Sequence, residues 1–157
     1  RIAPEAKKEG GPYRVYTLLG DGELGEGSNC EAARMAAHYG LDNLLAILDH
    51  NGLQITGPNK EVCSPYPIDE KFRAFGWRVE ECDGNDIASL RRAFKEIPEG
   101  EGKPTLLIAH TVKGKGVSFM EKKKQWHHGV PSDEQYQQAM EELNGELERL
   151  SRLKVEA

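Results

Sequence analysis

The sequence contains few cysteines and no long apolar run. Its three cysteines, Cys30, Cys63 and Cys82, are widely spaced, odd in number and form no Cys-x-x-Cys pair. This pattern argues against a disulfide framework and favours reduced thiols, so we expect a cytoplasmic protein. No apolar stretch approaches the roughly 20 residues that a membrane-spanning helix needs. We therefore predict no membrane span.

The sequence also has no excess of positive charge. Twenty-one Lys and Arg residues stand against 26 Asp and Glu residues, which gives a net charge of −5, so no basic field attracts nucleic acid or an anionic membrane. The first residues lack the apolar core of a signal peptide and do not begin with Met, so we expect a fragment or a processed product. The 157 residues suffice for one domain with its own core, and we predict a single domain over residues 1–157.

Short apolar runs alternate with helical patterns along the chain. The runs that predict strands are apolar or rich in β-branched and aromatic residues, and they cover residues 13–19, 43–50, 77–83 and 104–112. This alternation predicts an α/β fold with three layers (α/β/α) and a mostly parallel sheet.

Four segments between and after these strands predict helices, at residues 29–41, 67–76, 86–97 and from Ser132 onward. The third is amphipathic, with an apolar face of Ile87, Leu90, Ala93, Phe94 and Ile97. Ser132 and Gln135 form a capping box at the start of the fourth. A long irregular segment, residues 113–131, precedes that helix, and its length is typical of a functional loop.

The first predicted strand ends in a turn of glycines and carboxylates, LGDGELGEG. Gly20 and Gly22 flank Asp21, so the backbone can bend sharply and approach a ligand. Ligands of open parallel sheets bind at the carboxyl ends of the strands, and free amides before a helix favour a phosphate group. A buried carboxylate needs a partner, which predicts a metal ion and an anionic cofactor.

The second predicted strand ends in DHNGLQITG, another polar turn. Asn51 follows Asp21 by about 30 residues, which is the length of a crossover between adjacent parallel strands. A carboxylate, an amide oxygen and a backbone carbonyl at neighbouring strand ends form an oxygen site that suits Mg²⁺ and a phosphate-bearing cofactor. Asp-Gly and Asn-Gly alone are common turn dipeptides without a function, but together at this spacing they favour the metal site.

The stretch from Gly20 to Gly57 resembles the thiamine diphosphate motif, in which Gly-Asp-Gly precedes Asn by about 30 residues. It is most similar to transketolases. Glu26-Gly27, the DHNGLQITG stretch and the later HTVKGKGVSFMEKKKQWHHGVPSDEQY stretch favour that family over 1-deoxyxylulose-5-phosphate synthases and pyruvate dehydrogenase-type decarboxylases. The resemblance covers roughly residues 13–150 and is closest to the N-terminal subunit of transketolases that are split over two polypeptides.

The resemblance implies a diphosphate-binding domain that lacks part of its N-terminal segment, with residues 113–131 as an active-site loop. The implied activity is the transfer of a two-carbon ketol unit from a ketose phosphate to an aldose phosphate, in carbohydrate metabolism. The implied cofactors are thiamine diphosphate and Mg²⁺, with Ca²⁺ or Mn²⁺ as substitutes. The implied partners are a C-terminal subunit with the pyrimidine-binding domain, a second copy of this chain and sugar phosphates, so the chain alone is expected to be inactive.

The resemblance also implies roles for residues of the two turns. Asp21, Asn51 and the main-chain oxygen of Leu53 coordinate the metal, and the Gly22 amide contacts the diphosphate. The cofactor-binding residues that it implies are Gly20, Asp21, Gly22, Glu23, Asn51, Lys113 and His127.

One histidine of QWHHG is implied to face the substrate and move protons. The Trp126-His127 pair and the spacing from Lys113 favour His127, whereas the His128-Gly129 pair favours His128.

Glu26 and Glu31 resemble glutamates that form a network across the dimer in this family. Ser28 and Glu31 also have the spacing of a capping box, so Glu31 has the alternative of capping a helix.

Two other functions stay open. The chain could belong to another thiamine diphosphate enzyme, either a 1-deoxyxylulose-5-phosphate synthase or a 2-oxo acid decarboxylase, or it could be a truncated module without catalysis. A generic phosphate-binding domain is disfavoured, because the sequence has no G-x-x-x-x-G-K-[ST] loop.

Overall fold

The computed structural model describes residues 3–5, 13–98 and 100–155. The chain divides into two compact units, and the division falls after Thr111. The first unit contains the sheet, and the second contains the irregular segment and the last helix.

The first unit is built on a parallel sheet. Among the described residues it has four strands, which are β1 (Val15–Gly20), β2 (Leu44–His50), β5 (Arg78–Asp83) and β6 (Thr105–His110). They lie in the order β1-β2-β6-β5, and every neighbouring pair is parallel. A short antiparallel hairpin, β3 (Leu53–Gln54) and β4 (Gly57–Pro58), follows β2 and was not predicted. The four strands confirm the predicted parallel sheet.

The helices agree with the predicted positions to within a few residues. They are α1 (Gly27–His38), α2 (Asn59–Val62), α3 (Ile68–Ala74), α4 (Ile87–Glu96) and α5 (Asp133–Val155). Two 3₁₀ helices cover Gly22–Gly25 and Lys124–His127. The four-residue helix α2 had no counterpart among the predictions, because a single turn is too short to show a periodic apolar pattern.

Helices cover both faces of the sheet. On one face, α1 and α3 pack on β2, β5 and β6 through apolar side chains that include Ala33, Phe72 and Trp77. The Trp77 ring nitrogen also donates to the Ala33 carbonyl at 2.8 Å, which ties the start of β5 to α1. On the other face, α4 packs through a cluster that includes Leu90 and Phe94. The structure therefore confirms the three-layer α/β/α architecture.

The predicted apolar face of α4 is wrong at one position. Ile87 is 74% exposed, whereas Ile97 at the other end is buried. Ile87 is the first residue of the helix, directly after the cap Asp86, whose carboxylate accepts from the amides of Ala88 and Ser89. The apolar cluster begins one turn later, at Leu90, so the first turn lies outside it.

The second unit folds its irregular segment through short-range contacts. The Lys122 amide donates to the Lys113 carbonyl at 2.9 Å, and the Trp126 ring nitrogen donates to the Phe119 carbonyl at 3.0 Å. Gly114 has a φ of 73°, and a Cβ there would lie 2.7 Å from the Met120 carbonyl oxygen. The segment therefore has defined turns and needs glycine at that position.

Helix α5 begins with the predicted capping box. The Ser132 amide donates to the Gln135 side chain at 3.0 Å, and the Gln135 amide donates to the Ser132 hydroxyl at 3.3 Å. Within the described ranges, α5 and the other helices are too short or too polar to cross a bilayer.

Candidate functional site

Asp21 lies at the carboxyl edge of the sheet, directly after β1. Gly20 pairs with Asp49 of β2, and the Asp21 amide donates to the Asp49 carbonyl at 3.2 Å. The side chain of Asp21 is 1% exposed. Its Oδ2 accepts a 2.6 Å hydrogen bond from the Gly52 amide. The turn after β1 therefore binds directly to the turn after β2.

The other oxygen of this carboxylate has no partner. Asp21 Oδ1 is buried, and it accepts no hydrogen bond from the part of the chain that the structure describes. A buried oxygen of this kind costs free energy when it is left unsatisfied, and more so when it is charged. A cation beside Oδ1 would remove that cost, so the Asp21 carboxylate fits a metal ligand.

Two further oxygens lie in the turn that Asp21 contacts. Asn51 Oδ1 accepts from the Leu53 amide at 3.0 Å, which leaves this oxygen a second lone pair. Leu53 pairs with Pro58 in the hairpin, and proline has no N–H to donate to the Leu53 carbonyl. Across residues 3–5, 13–98 and 100–155, no group of three or more His, Cys, Asp or Glu side chains could hold a metal. The oxygen set is therefore of the mixed kind that hard cations accept.

The glycines of the first turn have different surroundings. A Cβ on Gly22 would lie 2.6 Å from the Cβ of Gln54 in β3, so the hairpin excludes any side chain there. A Cβ on Gly20 would meet nothing closer than 4.0 Å. The Gly20 amide donates to Glu23 Oε2 at 3.1 Å, so the exposed Glu23 stabilises the turn itself. Gly22 is thus required by packing, whatever ligand the turn holds.

A cluster beside Asp21 was missed by the sequence reasoning. His50 Nε2 lies 2.9 Å from the Tyr66 hydroxyl, and His50 Nδ1 lies 3.0 Å from His110 Nδ1. His110 Nε2 in turn lies 2.7 Å from Glu81 Oε2. Both histidines are the last residues of their strands and pair in register. Their positions at the ends of LDH and IAH could have indicated them, because ligands bind at that edge.

Burial and charge shift the pKa values of this cluster. Burial lowers the pKa of His50 below 6.5, and the negative charge of Asp21 opposes that shift. Burial also raises the pKa of Tyr66, and the charge of Asp21 raises it further. His50 is therefore held toward its neutral form and Tyr66 toward its protonated form.

The second unit brings together three of the predicted residues. The rings of His127 and His128 are nearly perpendicular, with centroids 4.5 Å apart. Desolvation lowers the pKa of His127 below its ordinary value, and the positive charges of Lys113 and His128 lower it further. Both histidines are exposed, so burial does not distinguish them, but Lys113 acts on His127.

The two glutamates of α1 are exposed. Glu26 is the N-cap of the helix but makes no side-chain capping bond. The helix begins at Gly27, so Ser28 lies inside it, and the alternative in which Ser28 and Glu31 form a capping box is wrong. Glu31 lies on the exposed side of the helix, whereas Ala33 and Ala36 are buried.

Comparisons with known proteins agree with this geometry. The family described as "Transketolase, thiamine diphosphate binding domain" matches residues 7–148. The chain is 47% identical over 151 residues to one subunit of the apulose-4-phosphate transketolase of Phocaeicola vulgatus, covering 96% of this chain and 54% of that protein. It is 49% identical over 145 residues to the protein of the same name from Actinobacillus succinogenes, covering 92% and 52%. The chain thus spans about half the length of these relatives.

A solved structure is also similar. The transketolase of Campylobacter jejuni superposes with a TM-score of 0.80 at 29% identity, covering 90% of this chain and 23% of that one. The parallel sheet, the GDG turn beside the Asn51 turn and these similarities agree. This chain therefore belongs to the transketolase family and carries that family's thiamine diphosphate-binding domain.

Proposed function

We propose that this chain is the cofactor-binding part of a split transketolase, which transfers a two-carbon ketol unit from a ketose phosphate to an aldose phosphate. The observation that carries the proposal is the buried Asp21 carboxylate. One of its oxygens binds the Gly52 amide at 2.6 Å, and the other has no partner among the described residues. This carboxylate suits a divalent cation that holds a diphosphate.

Asp21, Asn51 and the Leu53 carbonyl hold Mg²⁺ in this proposal, and Ca²⁺ or Mn²⁺ can replace it. The turn of Gly20, Gly22 and Glu23 binds the diphosphate, for which backbone amides are suited. Thiamine diphosphate supplies an electron sink for breaking and forming the carbon–carbon bond. The residues of this chain bind and orient that cofactor.

His127 has the role of a proton carrier in this proposal. Its lowered pKa favours the neutral imidazole near pH 7, which can accept a proton from a substrate hydroxyl and return it later. Lys113 supplies a positive charge for the cofactor, and the same charge helps keep His127 neutral. His128 is the alternative proton carrier.

The proposal also includes partners. A second polypeptide with the pyrimidine-binding domain completes the enzyme, since the two bacterial relatives are each named as one subunit of a transketolase. Glu26 and Glu31 contact a second copy of this chain, so the assembly is a dimer of heterodimers. Sugar phosphates are the substrates, and the reaction belongs to cytoplasmic carbohydrate metabolism, such as the pentose phosphate pathway.

A substrate panel tests this proposal. The full-length polypeptide is expressed with its partner subunit, then assayed with thiamine diphosphate and Mg²⁺, using ketose phosphate with aldose phosphate in one arm and pyruvate in another. Asp21→Asn serves as the inactive reference. Two-carbon transfer by the unaltered protein alone supports a transketolase. Consumption of pyruvate instead indicates a synthase or decarboxylase, and no turnover in either arm indicates a module without catalysis.

A further inference from the structure

Four side chains form a continuous hydrogen-bonded chain along the carboxyl edge of the sheet. The contacts run from the Tyr66 hydroxyl to His50, from His50 to His110 and from His110 to Glu81. The three distances are 2.9, 3.0 and 2.7 Å. One end adjoins the buried Asp21, because His50 Nε2 lies 4.0 Å from Asp21 Oδ2. The other end is Glu81 on β5, which is about half exposed.

The chemistry of Glu81 sets the direction of this chain. An ionised carboxylate only accepts hydrogen bonds, so His110 Nε2 must carry a proton and donate to it. The neutral imidazole of His110 then has a bare Nδ1, which accepts from His50 Nδ1–H. His50 Nε2 is left bare in turn and accepts from the Tyr66 hydroxyl. Each step follows from the one before it.

This direction matters for Asp21. A proton on His50 Nε2 would place an N–H donor 4.0 Å from Asp21 Oδ2, where a small shift allows a hydrogen bond. That donor would compete with a cation for the carboxylate. With Nε2 bare, His50 offers Asp21 no donor, and the carboxylate keeps its lone pairs for a metal.

We propose that Glu81 is a positioning residue, which acts through His110 to fix the His50 tautomer with a bare Nε2 and so preserves the cation affinity of Asp21. This inference rests on the proposed metal site at Asp21 and deepens it. Hydrogen bonds that orient metal-binding groups from outside the ligand set generally affect metal affinity strongly. Glu81 lies two strands away from β2 in the sheet, so its effect passes through the neighbouring strand β6.

The test compares two neighbouring glutamates of β5. Glu81→Gln replaces an obligate acceptor by an amide that can donate to His110 Nε2, which permits the opposite direction in the whole chain. Glu80→Gln makes the same charge change one residue away, where the side chain faces Arg78 at 3.8 Å. His110→Ala is a second variant, because it removes the link between Glu81 and His50. All are made in the full-length protein with its partner subunit.

Two measurements at one fixed pH decide the outcome. Calorimetry gives the affinity for Mg²⁺ in the presence of thiamine diphosphate, and ¹⁵N NMR of the histidine rings identifies which His50 nitrogen carries the proton. We expect a bare Nε2 in the unaltered protein and in Glu80→Gln. We expect Glu81→Gln and His110→Ala to lose that preference and to bind Mg²⁺ about tenfold more weakly.

The other outcomes contradict the inference. An unchanged tautomer and affinity in Glu81→Gln would overturn it, and so would an equal loss in Glu80→Gln, which would show an effect of net charge. If the unaltered protein binds no Mg²⁺, the proposed function fails instead. The NMR comparison still decides separately whether Glu81 sets the His50 tautomer.

Discussion

The Gly52 amide nitrogen lies 2.6 Å from Asp21 Oδ2. This bond joins the turn after β1 to the turn after β2, so the two polar turns behave as one structural unit. It uses one carboxylate oxygen and leaves the other buried without a partner in the described part of the protein. The same contact therefore builds the turn and prepares the carboxylate for a cation.

Gly22→Ala is expected to destabilise the protein by about 1–3 kcal/mol, because overpacking a tight contact costs energy of that order. The added Cβ would lie 2.6 Å from the Cβ of Gln54, and neither atom is the free end of a flexible side chain. Denaturant unfolding without cofactor measures the change.

Gly20→Ala is the matched control for this glycine. Its added Cβ meets nothing closer than 4.0 Å, so we expect a change within about 0.5 kcal/mol. Equal losses at Gly20 and Gly22 would show that backbone conformation, rather than contact with the hairpin, requires glycine in this turn.

Lys113→Met is expected to raise the pKa of His127. The positive charge of Lys113 lowers that pKa, so its removal lets the value rise toward 6.5. A proton carrier that must be neutral then loses function at a higher pH, and the acidic limb of the pH–rate profile moves upward. An NMR titration of the His127 ring measures the shift directly.

Lys115→Met is the control for that shift, because Lys115 pairs with Glu121 at 3.6 Å and does not contribute to the shift of His127. The explanation would be contradicted by a His127 titration that Lys113→Met leaves unmoved, or that both variants move equally.

Ser132→Ala is expected to destabilise α5 by about 1 kcal/mol, which is typical for loss of an N-cap hydroxyl. The Ser132 hydroxyl accepts from the Gln135 amide at 3.3 Å. Ser151→Ala is the comparison, because the Ser151 hydroxyl bonds only the Leu147 carbonyl of its own helix. Denaturant unfolding monitored by helical circular dichroism should show the larger loss at Ser132, and the reverse order would contradict the capping role.

The local signals of the sequence predicted much of the fold. Asp21 and Asn51 follow short apolar runs at a crossover spacing, and the structure places their turns in contact. Ser132 and Gln135 show the capping box that the spacing predicted. These features depend on residues that are close in sequence or on one crossover rule.

The histidine pair shows what such signals cannot supply. His50 and His110 meet because β6 lies beside β2, although β5 precedes β6 in the chain. Strand order depends on the packing of the whole sheet, so no local pattern indicates it. The exposure of Ile87 has a related cause, since the periodic pattern extends into a first turn that the apolar cluster does not reach.

The most direct test of the central claim is calorimetry of thiamine diphosphate and Mg²⁺ binding to the full-length protein with its partner subunit, with Asp21→Asn and Asp83→Asn compared. Asp83 also ends a strand of the sheet, but its carboxylate is exposed and bonds the Asn85 amide at 2.9 Å. We expect Asp21→Asn to weaken Mg²⁺-dependent binding by at least about tenfold, and Asp83→Asn to leave it unchanged. Equal affinities in Asp21→Asn and the unaltered protein would contradict the assignment of this carboxylate to the metal.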